Sequence, residues 1–196
     1  MTRAPEASPT SAPGSRRALF VDRDGTLNPD LRYLDDPDRL EIFRGVGAGL
    51  RLARDHGFRV ICVTNQSGIE RGFYTRDAVD RIHARLREKL RSSGAWIDAF
   101  YYCPHAPESD CPCRKPGTRL FQQAADDFGI DLGSSAIIGD RALDIEAGQT
   151  LGLLTALVAP PGHEAEVDEE MAARGLVPEI RADSLISAVL RILARG

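Results

Sequence analysis

The chain has 196 residues, 42% of them apolar and 28% charged, which is enough for one ordinary domain with a good-sized core. Its 25 Lys and Arg against 29 Asp and Glu leave a formal charge of −4, a balance that does not fit a general nucleic-acid binder. No stretch approaches the roughly 20 apolar residues of a membrane span, and no apolar leader segment opens the chain, so the expected compartment is the cytoplasm with no membrane partner.

Residues 1–15, "MTRAPEASPTSAPGS", are rich in Pro, Ala and Ser and lack large apolar groups, so they are expected to form a disordered tail ahead of one folded domain at 16–196. Short apolar runs then alternate with amphipathic stretches. The runs are 18–22, 58–64, 98–103, 135–140 and 153–158, rich in β-branched or aromatic residues and bounded by Gly, Asp or Asn. Between them the spacing predicts helices at 45–56, 75–92, 117–128, 142–151 and 184–195. In the second, Val79, Ile82, Leu86 and Leu90 recur at helical intervals behind Thr75, a natural N-cap. The acidic segment 162–175 reads as a solvated helix or loop without chemistry. Strand–helix alternation with continuously apolar strands predicts an α/β fold: a parallel sheet covered by helices on both faces.

The first run ends in Asp22 and Asp24, followed by Gly25 and Thr26. Residues two apart in an extended segment point the same way, so both carboxylates can face one reacting centre. Thr64 and Asp140 end later strands and Lys115 lies just beyond the third, so these groups gather at the carboxyl edge of the sheet, where α/β folds place their sites. Paired carboxylates repel unless a cation compensates, and hard oxygen donors favour Mg2+. Asp144, one turn beyond Asp140, is a further candidate ligand, while Asn65 and Ser67 add donors near Thr64. Donors for an anion beside a magnesium nest fit a phosphoryl group. Any one of these motifs alone could be a turn after a strand; their joint occurrence is the argument.

Cys103, Cys111 and Cys113 crowd into eleven residues with His105 between them, "CPHAPESDCPCRKP" at 103–116. Three thiolates and an imidazole in two close pairs predict a closed tetrahedral Zn2+ site, structural in role because it keeps no position for water. The loop runs directly into Arg114 and Lys115, so the metal would fix where those two cations point. Cys62, flanked by Ile61 and Val63, reads as a buried apolar residue.

Taken in order, "DRDGT" (22–26), "VTNQSG" (63–68), "CRKP" (113–116) and "GDRALD" (139–144) resemble the haloacid dehalogenase superfamily of phosphatases. The resemblance implies a Rossmann-like fold in which Asp22 attacks phosphorus, Asp24 is the general acid and base, and Thr64 and Lys115 hold the phosphoryl oxygens. Asp140 would bind Mg2+ with Asp22 and the Asp24 backbone carbonyl. The segments between motifs leave no room for a large cap domain. A Cys/His loop running into "CRKP" is similar to the group of this superfamily containing the heptose-bisphosphate and histidinol-phosphate phosphatases. The stretch "TNQSGIERGFYT" (64–75) leans toward the former, a phosphorylated sugar as substrate, with Arg71 placed to meet the sugar or its second phosphate. A monomer is expected. A phospho-receiver domain and a zinc-stabilised binding module are the readings from other classes. The adjacent pair Asp22 and Asp24 argues for turnover over a stored signal, and a binding module leaves the acids, Thr64 and Lys115 unaccounted for.

Overall fold

The structure is a computed structural model and describes residues 16–159 and 162–195. The expected tail at 1–15 lies outside the described residues. Among the described residues, six parallel strands, β1 (Arg17–Val21), β2 (Phe58–Asn65), β3 (Ala99–Cys103), β4 (Ala136–Gly139), β5 (Leu154–Val158) and β6 (Ile180–Ala182), form one sheet in the order β3-β2-β1-β4-β5-β6. The helices are α1 (Val46–Asp55), α2 (Arg76–Arg91), α3 (Arg119–Phe128), α4 (Ala142–Thr150), α5 (Glu164–Ala173) and α6 (Leu185–Leu193).

Both faces of the sheet are covered, as continuous apolar strands require. In β1, Leu19 and Val21 pack with α1, α2 and α6 through Leu50, Leu86 and Val189, while Ala18 and Phe20 pack on the other face with Phe121 of α3 and Ala147 of α4. The predicted N-cap of α2 is present: Thr75 accepts from the Ala78 N–H. Among the described residues, the segments between β1 and α1 and between β2 and α2 hold no inserted domain, only a single 3-10 turn at Pro37–Arg39. The carboxyl edge of the sheet is therefore open. No helix among the described residues is long and apolar enough to cross a membrane.

Two elements differ from the expectation. The acidic segment 162–175 is not merely solvated: α5 buries Val167 and Met171 against Ile145 of α4 and Leu157 of β5. A sixth strand, β6, extends the sheet beyond β5, with only Ile180 of its three residues buried.

The strand order fixes the site. β1 sits centrally between β2 and β4, with Val21 level with Cys62 and Ile138, and the Asp22 N–H still bonds the Ile138 carbonyl. Reversal of the chain's direction of travel at β1 opens the crevice in which such sheets bind ligands. On the other side of β2, Asn65 is level with Cys103, so the Cys/His loop starts beside the Thr64–Asn65 strand end.

Candidate active site

An open cleft of about 480 Å³ lies over the carboxyl ends of β1, β2 and β4 and is lined by Asp22, Asp24, Thr64, Asn65, Arg114, Lys115 and Asp140, among others. Of the residues predicted to meet a phosphoryl group, only Arg71 is not among those lining it.

Lys115 is the hub. Its ammonium is 3% exposed and lies 2.8 Å from Asp22 Oδ1 and 2.6 Å from Asp144 Oδ1, and it donates to the Val63 carbonyl at 2.8 Å. Burial alone would lower the Lys115 pKa, but Asp144 and Asp22 outweigh it and hold the ammonium charged. Asn65 grips the Lys115 backbone from both sides: the Lys115 N–H donates to Asn65 Oδ1 at 3.0 Å, and Asn65 Nδ2 donates to the Lys115 carbonyl at 3.2 Å. The Asn65 amide is thus engaged with the loop that carries the lysine.

Carboxylate oxygens of Asp22, Asp140 and Asp144 lie within 4.8 Å of one another, all three residues buried. Burial, with Asp144 and Asp24 nearby, pushes the Asp22 pKa up to about 6 despite Lys115. Burial and the charges of Asp22 and Asp144 push Asp140 well above the usual carboxylate range. Three converging carboxylates against one buried ammonium make a donor set that fits a hard divalent cation. Two glycines make the convergence possible. A Cβ at Gly25, where φ is +85°, would lie 2.1 Å from Asp140 Oδ2, and one at Gly139 would lie 2.3 Å from Asp144 Cβ. Thr26 Oγ1 donates to Asp140 Oδ1 at 3.2 Å, and Arg141 Nε stands 3.7 Å from Asp140 Oδ2. Arg141 also reaches Glu166 on α5 at 3.2 Å, so the segment given no chemistry supplies a partner at the rim of the site.

Asp24 belongs to a different set of contacts. Arg23 donates to it through Nε at 3.1 Å and Nη2 at 2.6 Å, Asn28 Nδ2 at 2.9 Å and Gln66 Nε2 at 2.9 Å. Burial would raise the Asp24 pKa, but the Arg23 charge and these donors prevail and hold it below the usual carboxylate range. The roles of Arg23, Gln66 and Asn28 around Asp24 are not evident from sequence alone. Gln66 also donates to Thr64 Oγ1 at 3.0 Å and accepts from the Tyr74 hydroxyl at 2.8 Å. Strand alternation through Thr64 was the signal that could have found it, since residues two apart share a face.

Cys103, His105, Cys111 and Cys113 come together as predicted. Cys113 Sγ lies 2.9 Å from Cys111 Sγ, 3.1 Å from Cys103 Sγ and 3.4 Å from His105 Nδ1. Three sulfurs and one imidazole nitrogen converging on one point are the donor set of a closed structural zinc site. Arg114 Nη1 donates to the His105 carbonyl at 3.3 Å, tying the cation to this loop. Glu70, on the loop after β2, accepts from the Ala106 N–H and from Ser109 Oγ. Cys62 is fully buried in the core, as expected. Arg71 is turned to the rim, where it donates to the Tyr33 hydroxyl at 2.9 Å and pairs with Glu108 at 3.2 Å.

A central β1 followed by two acids, flanked by a Thr and a third acid from neighbouring strand ends and by a buried Lys from the loop after β3, is the arrangement of a haloacid dehalogenase-like hydrolase, and the HAD-hydrolase-like family model matches residues 112–186. The D-glycero-D-manno-heptose-1,7-bisphosphate 7-phosphatase of Chlorobaculum tepidum is 35% identical over 188 residues, covering 89% of this chain and 93% of its own. The D-glycero-beta-D-manno-heptose-1,7-bisphosphate 7-phosphatase of Haemophilus ducreyi is 36% identical over 165 residues, covering 81% and 91%. The solved structure of D,D-heptose 1,7-bisphosphate phosphatase from B. bronchiseptica, complexed with magnesium and phosphate, superposes with a TM-score of 0.80 at 27% identity, covering 92% of this chain and 99% of that one. The chain belongs to the family of heptose-1,7-bisphosphate 7-phosphatases. Membership in a family of hydrolases sets aside the receiver and binding-module readings.

Proposed function

We propose that this protein is a phosphoric monoester hydrolase that removes the 7-phosphate of D-glycero-D-manno-heptose 1,7-bisphosphate through an aspartyl-phosphate on Asp22. One observation carries the reading: Asp22 stands one residue past the central strand in ion-pair contact with Lys115 and within metal-sharing distance of Asp140, while Asp24, two residues on, is held apart from that cluster.

Asp22 attacks phosphorus and the sugar oxygen leaves with a proton from Asp24; Asp24 then takes a proton from the water that hydrolyses the acyl phosphate. In the resting arrangement Arg23 holds Asp24 ionised, the form needed for the second half. A dianionic phosphate entering beside it favours the protonated form needed for the first. Thr64, Lys115 and Arg114 hold the phosphoryl oxygens, and Asn65 serves them by fixing the Lys115 backbone. Asp22, Asp140 and the Asp24 carbonyl would hold Mg2+, which supplies charge neutralisation at the phosphoryl group. Cys103, His105, Cys111 and Cys113 would hold Zn2+, in a structural role. Residues 16–196 are read as one catalytic domain.

A substrate panel tests this. The heptose bisphosphate should lose only its 7-phosphate, with kcat/KM at least about 100-fold above that for histidinol phosphate. Preference for histidinol phosphate would overturn the choice of substrate. Arg71 can meet the second phosphate by exchanging Glu108 for it, both being anions at the rim. Arg71→Ala should therefore lower kcat/KM for the bisphosphate about 10-fold while sparing a minimal aryl phosphate. Equal losses on both would deny Arg71 a part in recognition.

A further inference from the structure

Behind Asp24 lies a buried polar chain whose far end, His83, the proposed chemistry does not use. Arg23 is 1% exposed. It directs Nε and Nη2 onto the two Asp24 oxygens, shares Nη2 with Gln66 Oε1 at 3.1 Å, and sends Nη1 to Nε2 of His83 at 3.4 Å. His83 sits on α2, 4% exposed, stacked on Phe100 with ring centroids 4.2 Å apart. An arginine donates only, so the Nε2 facing it must be the acceptor and the imidazole proton must lie on Nδ1. Burial and the charges of Arg23 and Arg87 push the His83 pKa well below its ordinary value, which keeps the ring in that neutral, accepting form.

A guanidinium is planar, and its two-pronged grip on a carboxylate depends on the orientation of that plane. Gln66 touches the edge that already faces Asp24, whereas His83 takes the opposite corner, Nη1, from a rigid helix. We infer that His83 is a positioning residue: by accepting from Arg23 Nη1 it fixes the guanidinium fork that aims Asp24 at the oxygen leaving phosphorus. The inference rests on the reading of Asp24 as the proton donor.

The test uses the dependence on the leaving group, which a loss of packing would not reproduce. A sugar oxygen needs a proton to depart, whereas p-nitrophenolate scarcely does. His83→Phe keeps the stack on Phe100 and removes the acceptor. It should lower kcat/KM for the heptose bisphosphate by about 10- to 100-fold and for p-nitrophenyl phosphate by less than about 3-fold. His83→Gln, which restores an acceptor oxygen, should regain most of the loss. Asp24→Asn, measured alongside, should show the same selectivity with a larger loss. If Asp24→Asn is selective but His83→Phe lowers both substrates equally, or His83→Gln recovers nothing, His83 only packs and the inference fails. If Asp24→Asn is itself unselective, the reading of Asp24 fails first. Nitrogen-15 NMR of the imidazole in the unmutated protein gives a check independent of folding variants: Nε2 should be unprotonated and Nδ1 protonated, and the reverse tautomer would overturn the proposal.

Discussion

Asp22→Asn should leave a folded protein with kcat reduced by about 10⁴-fold or more on every phosphate ester, because an amide oxygen cannot become the acyl-phosphate oxygen. The fold should tolerate the change. Asp22 is buried and its pKa is pushed up to about 6 from 3.8. A carboxylate raised in this way stabilises the fold only while it is protonated, and that contribution is lost as the pH rises through 6. At neutral pH, without a bound cation, the ionised side chain is therefore a liability that a neutral isostere removes. Lys115 keeps Asp144 as a partner at 2.6 Å. Steady-state turnover beside thermal unfolding separates the two effects. A variant that unfolds at the wild-type temperature and retains a tenth of the rate would exclude Asp22 as nucleophile.

Loss of the proposed zinc donors should be the second largest effect, and it should reach the cleft through the backbone. Cys113 is the donor closest to the other three, and it is directly followed by Arg114 and Lys115. The loop it closes is anchored at Cys103, level with Asn65, and Asn65 in turn brackets the Lys115 backbone. Releasing the metal loosens both ends of that bracket and the Arg114–His105 contact. Cys113→Ser, or chelation at saturating magnesium, should lower kcat/KM by about 10- to 100-fold. The melting temperature should fall by at least about 5 °C, since the binding free energy of a structural metal is folding free energy. Zinc content, activity and melting curves on the same samples check it. A demetallated but folded protein with full rate at added magnesium would break the link between loop and phosphate grip.

The residues that meet at the cleft were largely legible because strand ends in a parallel sheet are predictable from apolar runs: Asp22 and Asp140 sit one step past β1 and β4 and Thr64 is next to last in β2, while Lys115, on the loop after β3, follows the Cys/His spacing. The clustered thiols were legible from spacing alone. What escaped was burial. Arg23, between two acids, reads as a solvated charge, yet it is among the most deeply buried side chains of the protein. His83 interrupts the apolar face of α2 four residues after Val79, a polar intrusion visible in the pattern although its partner on another element was not. β6 was missed because three residues with one buried position carry no period. The buried side of α5 was missed because only Val167 and Met171 mark it among acids. Arg71 lies on the expected loop, but its direction is set by Tyr33 and Glu108, residues far away in sequence.

The proposed mechanism requires a covalent bond between Asp22 and phosphorus. Rapid acid quench during turnover of the heptose bisphosphate, followed by peptide mass spectrometry, tests it most directly. The peptide containing Asp22 should carry a phosphoryl group that forms and decays at rates compatible with turnover. Turnover at full rate with that peptide unmodified, or with the phosphoryl group on another residue, would contradict it.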